Sequence, residues 1–366
     1  MENDLAAREA AGLRRRLAPP ADGLSRAFCT NDYLGLSRHP RLIEAAREAA
    51  ARYGAGAGAS RLAGGNLEPH AALDEALAAF KGRPAALSFS SGYAAALGTI
   101  PALAGKEDAV LLDKRAHASL IDGARLSGAT LRVFPHNDLD YLEKLLQKTA
   151  APKYRRTLIV TESVFSMDGD LAPLRALADL KDRHGAWLLV DEAHSTGIYG
   201  PGRRGLAEAE GLTGRIEVQL GTLSKALGTS GGFVAGSRAL VDTLLNHARS
   251  LIYSTGPNPA ACGAARAALD LAASEEGERL CRRLWENAAR FGALTGLSSP
   301  SPIFPVLCGA EERAVAAQAA LAAKGFQIPA IRYPTVARGQ ARLRVTLTAA
   351  AAEGEIAALA DALRNI

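Results

Sequence analysis

Residues 218–237 contain one charged side chain, Lys225, in an otherwise apolar or small-residue segment. Because burial disfavours the charged form, an ammonium group in such surroundings should have a lowered pKa. A neutral amine is a nucleophile that can form a Schiff base, so the segment indicates amine chemistry at Lys225. A lysine whose stem packs on the core while its amine reaches water would give the same pattern. Lys324 also lies among uncharged residues, but it ends an alanine-rich helix pattern, which is an ordinary place for a lysine.

Asp191 ends the apolar run 187–190, which places its carboxylate at the carboxyl end of a predicted strand. Open α/β sheets bind ligands at that edge. A buried carboxylate needs a cationic partner, such as a pyridinium nitrogen, although an aspartate that caps a helix would look similar in sequence. Asp191 and Lys225 follow successive predicted strands, and together they predict pyridoxal 5'-phosphate (PLP). The lysine would hold the aldehyde, and the aspartate would keep the ring nitrogen protonated.

Further residues could contact the phosphate or the ring of that cofactor: Gly92, Tyr93, His117, Ser166, His194 and Thr222. A tight turn and a helix start at Gly92 could bind phosphate, as could the hydroxyl of Thr222. The His117 ring could lie on the cofactor face, and Ser166 could bond the ring hydroxyl together with His194. Each of these positions alone would also suit a helix cap or a core residue.

Three other kinds of chemistry receive no support. Residues 200–205 match the letters of a dinucleotide-binding GxGxxG loop, but they do not follow a strand directly and contain Pro201 in the turn. Residues 191–194 spell the DEAH box of a helicase family, yet the sequence has no GxxxxGK[ST] loop to bind a nucleotide phosphate. The seven histidines show no HExxH spacing and the four cysteines lie far apart, so no metal site is predicted.

Seven short apolar runs alternate with helix-like stretches, which is typical of a mostly parallel sheet covered by helices on both faces. The runs are 85–89, 109–112, 131–134, 157–161, 187–190, 218–220 and 233–235. Helices are predicted at 2–18, 40–53, 70–80, 139–148, 174–184, 260–295, 312–324 and 353–364, with a glycine-rich loop at 54–66. Together with the runs 303–307 and 342–347, the later helices predict a smaller α+β domain.

The length of 366 residues suggests about two domains. We predict an N-terminal helix and extended segment at 1–37, a large cofactor-binding domain at 38–258 and a C-terminal α+β domain at 259–366. With 48% hydrophobic and 22% charged residues, the composition is that of an ordinary globular protein.

The net charge of +5 is spread along the chain, so no nucleic-acid surface is predicted. The uncharged stretch 84–105 contains serines, glycines and a proline, which favours a buried segment over a membrane span. The acidic N-terminus does not resemble a signal peptide, and the dispersed cysteines are typical of a reduced protein. We therefore expect a cytoplasmic protein without a membrane or nucleic-acid partner.

Seven motifs resemble, in order and spacing, those of the α-oxoamine synthases: NDYLGLSRHP, SSGYAAALG, HASLIDGA, TESVFSMDGDLAPL, VDEAHSTGIYG, GTLSKALGTSGG and ARLRVTLTAA. The resemblance spans nearly the whole chain. It implies a PLP-dependent transferase of fold type I that condenses an amino acid with an acyl thioester. The implied fold is α/β, with a mostly parallel seven-stranded sheet in the large domain and a smaller α+β C-terminal domain.

Within this family, the segments LRRR and AIRYPTVARGQARLRVTLTAA look most like members that use L-alanine and a pimeloyl thioester. Members that acetylate glycine are the alternative. A cofactor-free regulatory or nucleotide-binding protein built on the same fold is an alternative from another class. Absorbance in the visible would distinguish a PLP enzyme from the last of these.

The resemblance also implies a role for each matched position. Lys225 would be the Schiff-base lysine, Asp191 would bond the pyridine nitrogen, and His117 would stack on the ring. Ser166 and His194 would contact the ring oxygen. The phosphate would be bound by Gly92, Tyr93 and Thr222. Arg344 would bind the amino-acid carboxylate, and Arg14, Asn31 and Thr335 would lie further along the substrate path.

A homodimer with shared active sites is expected, mainly from the resemblance. The cluster Tyr253-Ser254-Thr255 has no obvious local partner in the sequence, and Thr255 could serve the phosphate end of the cofactor in a second subunit. The glycine-rich loop 54–66 likewise needs a surface that orders it, because glycines lose much backbone entropy when fixed. A monomer in which both segments are surface loops is the alternative.

Overall fold

A computed structural model of the chain describes residues 1–10, 13–14 and 27–365. The contacts within it define two compact units. The larger consists of residues 34–165 and 171–281, and the smaller of residues 1–33, 166–170 and 282–366. By these contacts residues 259–281 belong to the larger unit, and the boundary placed after residue 258 stays a prediction.

The larger unit contains a sheet of seven strands: β1 (Ala85–Phe89), β2 (Ala109–Asp113), β3 (Thr130–Phe134), β4 (Thr157–Glu162), β5 (Trp187–Asp191), β6 (Val218–Thr222) and β7 (Gly232–Gly236). Their spatial order is β1-β7-β6-β5-β4-β2-β3. Strands β2 to β6 run parallel to one another, and β7 is antiparallel to its neighbours β1 and β6. The predicted seven-stranded, mostly parallel sheet is confirmed.

The helices of this unit are α2 (Pro40–Tyr53), α3 (Glu68–Lys81), α4 (Gly92–Leu103), α5 (Ala118–Leu126), α6 (Leu139–Lys148), α7 (Leu174–His184), α8 (Leu206–Ala209), α9 (Arg238–His247), α10 (Arg249–Ile252) and α11 (Pro259–Ala273). Successive strand residues point to opposite faces of a sheet. Leu112 accordingly packs in one apolar cluster and Leu111 in the other. The sheet is therefore buried on both faces, which accounts for the continuous apolar runs.

The smaller unit contains a three-stranded antiparallel sheet formed by β8 (Ile303–Gly309), β9 (Ala330–Ile331) and β10 (Ala341–Thr346), in the order β9-β10-β8. Helices α13 (Glu311–Ala323) and α14 (Glu353–Arg364) follow β8 and β10 respectively. Their apolar faces and the sheet enclose a separate core that includes Phe291, Phe304 and Leu359. The predicted α+β character is confirmed.

Two helix predictions are wrong in extent. The chain at 260–295 forms two helices, α11 and α12 (Glu275–Thr295), because Ser274 has an extended backbone between them. The Ser274 hydroxyl donates to the Leu271 carbonyl at 2.7 Å and accepts the Gly277 amide at 3.4 Å. In place of the helix predicted at 2–18, the structure has the shorter helix α1 (Glu2–Ala10). Residues 13 and 14 are not helical, and residues 11–12 and 15–18 lie outside the described residues.

A buried ion pair joins α3 to the turn after β5. The Lys81 amine lies 2.7 Å from the Glu192 carboxylate, and the two side chains are 1% and 0% exposed. The other Glu192 oxygen accepts the Ala207 amide at 2.9 Å. Because Glu192 directly follows Asp191, this pair fixes the chain at the end of β5.

Replacing Lys81 by alanine should lower the free energy of unfolding by about 3–5 kcal/mol, because Glu192 would remain as an unpaired buried charge. Urea unfolding monitored by circular dichroism measures the change. Lys144→Ala on the exposed face of α6 is the control, and it should change stability by about 0.5 kcal/mol or less. Equal stabilities for the two variants would contradict a stabilising role of the pair.

Candidate active site

The carboxyl ends of β1, β2, β4, β5 and β6 lie at one edge of the large sheet, because these strands share one direction. The last residues of these strands and the segments that follow them carry most of the residues singled out in the sequence: Gly92, Tyr93, His117, Asp191, His194, Thr222 and Lys225. Ligands of open α/β folds bind outside the carboxyl ends of the strands. The topology alone therefore brings these residues to the edge where a ligand is expected.

Asp191 is the last residue of β5, and Lys225 lies in the turn after the neighbouring strand β6. The Lys225 amine is 2.8 Å from Nε2 of His194, which is itself 4% exposed. One Asp191 carboxylate oxygen accepts the Ala193 amide at 2.8 Å. Burial raises the pKa of Asp191, and the positive charge of Lys225 opposes that rise. The Asp191 carboxylate is thus buried, and the charge of the nearby Lys225 stabilises its ionised form.

His117 caps the N-terminus of α5. Its Nδ1 accepts the backbone N–H of Ser119 at 3.2 Å and lies 2.8 Å from the Ser119 hydroxyl. Nδ1 therefore acts as an acceptor, which in a neutral ring places the proton on Nε2. Burial lowers the pKa of His117; the Asp191 charge acts against this shift and the Lys225 charge adds to it. A neutral, fixed imidazole results.

The turn between β1 and α4 presents unused backbone donors. The Ser91 hydroxyl accepts the Ala94 amide at 3.0 Å and so caps α4. The Gly92 and Tyr93 amides, in the first turn of the helix, have no intrahelical acceptor. A side chain at Gly232 would collide with the Gly92 nitrogen, so only glycine lets β7 approach this turn.

Hydroxyl groups lie opposite the same turn. The Thr222 hydroxyl is 2.8 Å from that of Ser224 and donates to the Gly231 carbonyl at 2.9 Å. A Cβ built on Gly92 would lie 3.4 Å from the Thr222 Cβ, which places this hydroxyl beside the start of α4. Amides and hydroxyls in this arrangement suit a phosphate group. The Tyr93 hydroxyl instead donates to the Asp122 carboxylate.

In the smaller unit, Arg344 is 4% exposed and binds neutral acceptors. Its Nε donates to the Ser166 carbonyl at 2.5 Å, and its other nitrogens donate to the Thr346 hydroxyl at 2.9 Å and the Asn31 amide oxygen at 3.1 Å. The guanidinium also hydrogen-bonds Tyr33, whose pKa burial raises to about 12. The structure thus groups three predicted positions of this unit.

Arg342, two residues earlier on β10, differs in its partner. It forms an ion pair with Asp168, whereas no carboxylate in the described part of the smaller unit lies within ion-pair distance of Arg344. A buried guanidinium without an anion is costly. The Arg344 side chain is therefore suited to the carboxylate of a ligand.

The remaining three predicted positions are Arg14, Thr335 and Thr255. Arg14 is exposed and forms an ion pair with Glu9 at 3.2 Å, and Thr335 is exposed. Thr255 pairs with Ser60 in an isolated β-bridge of the larger unit. The expectation that Thr255 and the loop 54–66 lack partners within the chain is wrong, because they bind each other.

The sequence interpretation missed Glu162, the last residue of β4. It is 3% exposed, and its Cα lies opposite that of Asp191 in the β4–β5 register. In the motif that contains it, the sequence singled out Ser166 as a site residue. The proximity of Glu162 to Asp191 can be recognised only once the pairing of β4 with β5 is known.

In the described residues, no group of three or more histidines, cysteines or carboxylates could hold a metal ion. None of the helices described is long and apolar enough to cross a membrane.

Residues 27–363 match the family described as aminotransferase class I and II, and the chain belongs to this family. It is 50% identical to 8-amino-7-oxononanoate synthase of Anaeromyxobacter dehalogenans (strain 2CP-1), over 99% of this chain and 95% of that protein.

Two solved structures are similar over almost the whole chain. A serine palmitoyltransferase variant from S. paucimobilis with bound PLP and myriocin has a TM-score of 0.92 and 30% identity, covering 100% of this chain and 96% of that one. The 8-amino-7-oxononanoate synthase of Francisella tularensis has a TM-score of 0.78 and 29% identity, covering 94% and 98%. The fold is that of the α/β, fold type I PLP transferases.

Proposed function

We propose that this chain has 8-amino-7-oxononanoate synthase activity: it condenses L-alanine with a pimeloyl thioester and releases carbon dioxide and the thiol, a step in biotin biosynthesis. The observation that carries the proposal is the 50% identity to a curated enzyme of this activity over 99% of the chain. The acyl carrier would be coenzyme A or a carrier protein. The Lys225–Asp191 pair and the Arg344 side chain supply the groups that such a reaction needs.

The residues at the sheet edge fit PLP by their chemistry. Lys225 offers an amine for the aldehyde, and the buried Asp191 carboxylate offers a partner for a protonated ring nitrogen. Gly92 and Tyr93 amides with the Thr222 hydroxyl offer donors for the phosphate. When bound, PLP supplies an electron sink for the bonds at the amino-acid Cα.

We assign proton transfer at the alanine Cα to the Lys225 amine, which lies 2.8 Å from Nε2 of His194. Asp191 would keep its negative charge and so hold the ring nitrogen protonated. His117, a neutral ring fixed by Ser119, would pack on the cofactor face. Ser166 and His194 would bond the ring oxygen.

Arg344 would bind the alanine carboxylate, with Asn31 as its neighbour. This anion would compensate a buried cation that otherwise contacts neutral acceptors. Fixing the carboxylate selects which bond at Cα aligns with the ring system. Arg14 and Thr335 would contact the substrates further out.

The bonds change in a balanced sequence. Lys225 removes the Cα proton, and Cα then bonds to the thioester carbonyl carbon while the carbon–sulfur bond breaks. The thiolate that leaves takes up a proton from water. The resulting β-keto acid loses its carboxyl group as carbon dioxide, and Lys225 returns a proton to Cα. The products are 8-amino-7-oxononanoate, carbon dioxide and the free thiol.

Glycine C-acetyltransferase activity is the second candidate, because the implied core residues would serve it equally. Purified protein is incubated with L-alanine and pimeloyl-CoA, and separately with glycine and acetyl-CoA, and free thiol is measured. We expect the first pair to turn over faster. Faster turnover of glycine with acetyl-CoA would overturn the assignment in favour of the second candidate.

We further propose that the enzyme is a cytoplasmic homodimer, on the strength of the family resemblance. Thr255 would contact the phosphate across the interface. Sedimentation should give twice the mass of one chain.

A mixing experiment tests whether the sites are shared. Lys225→Ala and Thr255→Glu proteins are mixed, dissociated and re-annealed. About a quarter of parental activity should return, because about half of the dimers are heterodimers and each of these has one intact site of two. An active species with the mass of a single chain would contradict shared sites. Arg61, which forms an ion pair with Asp74 at 2.7 Å in its own chain, is unsuitable for this test.

A further inference from the structure

Glu162 is a buried carboxyl group that the mechanism above does not use. It lies at the end of β4 with its Cα opposite Asp191, and its side chain is sealed from solvent. Its carboxyl group accepts the backbone N–H of His117. Its Oε1 is buried and has no hydrogen-bond partner in the described part of the chain. A buried polar atom without a partner calls for an explanation.

The charges around Glu162 come from every neighbouring strand. Asp191 lies on β5 and Asp113 at the end of β2, and Lys225 follows β6. The Asp113 carboxylate is itself bound to His136 at 3.0 Å. Burial and the Asp191 charge raise the pKa of Glu162 well above its usual value, and Lys225 acts against them. Two carboxyl groups at adjacent strand ends thus disfavour each other's negative charge.

We propose that Glu162 is a positioning residue that remains a neutral carboxylic acid beside Asp191. Its acceptor oxygen fixes the start of α5 and so the place of the His117 ring. Its unpartnered Oε1 bears the proton, which avoids burying a second anion. Asp191 then alone carries the negative charge next to the cofactor nitrogen; this last role rests on the proposed function.

Infrared spectroscopy of the holoenzyme tests the protonation state directly. The parent should show the C=O stretch of a buried neutral carboxyl group, and Glu162→Gln should lack it. Glu143→Gln on the protein surface is the control and should keep the band. If Glu162→Gln leaves this band unchanged, the proposal is overturned.

The positioning role is tested by comparing two substitutions. Glu162→Gln retains a neutral acceptor for the His117 amide, so kcat should stay within a few-fold of the parent. Glu162→Leu removes the acceptor, and kcat should fall roughly 10–100-fold, as when supporting hydrogen bonds of a site are lost. The KM for the thioester should not change. An equal loss of kcat in both variants would overturn the positioning role.

The third readout uses the cofactor-free protein, so it does not depend on the proposed reaction. The pKa of Glu162 is higher in the folded than in the unfolded state. At a pH between these two values, the folded parent therefore keeps a proton on Glu162 that the unfolded chain has lost. Its stability should therefore fall as pH rises toward the folded pKa. Glu162→Gln lacks this proton. We therefore compare the melting temperature of Glu162→Gln with that of the parent at each pH. The variant's melting temperature minus the parent's should be larger at pH 8 than at pH 5.5. The same difference at both pH values would overturn the neutral-acid assignment.

Discussion

Lys225→Ala should abolish turnover and covalent attachment of PLP while leaving the fold intact. The substitution removes the amine that the mechanism uses at the sheet edge. Asp191 then loses the nearby Lys225 charge, but it keeps the Ala193 amide and can take up a proton, so no unpaired buried charge remains. Stability should therefore change little. Activity is measured as alanine-dependent thiol release, and PLP attachment by the visible absorbance band that borohydride removes.

Lys324→Ala is the matched control, because Lys324 also lies in an uncharged stretch of sequence but is exposed at the end of α13. This variant should match the parent in activity and absorbance. Near-normal turnover by Lys225→Ala would exclude Lys225 as the residue that holds the cofactor.

Asp191→Asn should keep PLP bound but slow the exchange of the alanine α-proton by roughly 10⁴-fold, the scale seen when a carboxylate that fixes a ring tautomer is lost. An amide cannot hold the ring nitrogen protonated, so the electron sink weakens. The exchange of the α-proton with deuterium from solvent, followed by NMR, measures this step without the thioester. Asp179→Asn on the exposed face of α7 is the control and should exchange at the parental rate. Parental exchange in Asp191→Asn would show that another group partners the ring.

The sequence alone predicts the sheet edge well because the relevant signals are local. Lys225 stands out as a single charge in an apolar segment, and Asp191 ends an apolar strand. In a parallel sheet the carboxyl ends of neighbouring strands coincide, so the two residues could be brought together without knowledge of their contacts.

Contacts between distant segments are harder to predict from sequence. Arg342 and Arg344 occupy the same face of β10, but Arg342 pairs with Asp168 whereas Arg344 contacts neutral acceptors. Glu162 becomes notable only through its register with Asp191. These three-dimensional relations carry no periodicity that a sequence pattern could reveal.

Two further differences between prediction and structure concern Thr255 and Ser274. The bridge between Thr255 and Ser60 joins segments far apart in sequence, so the cluster around Thr255 looked unpartnered. The break at Ser274 had a local signal, a serine followed by Glu275 and Glu276, which is the usual start of a helix. The helix-like patterns on both sides concealed it.

Isotope-labelled alanine tests the decarboxylative condensation most directly. L-Alanine carrying ¹³C in its carboxyl group is incubated with the enzyme and pimeloyl-CoA, and labelled carbon dioxide, free thiol and product are quantified together. The proposed mechanism predicts equal amounts of all three, with no label in the product. Thiol release without labelled carbon dioxide, or label retained in the product, would contradict decarboxylative condensation as the reaction of this protein.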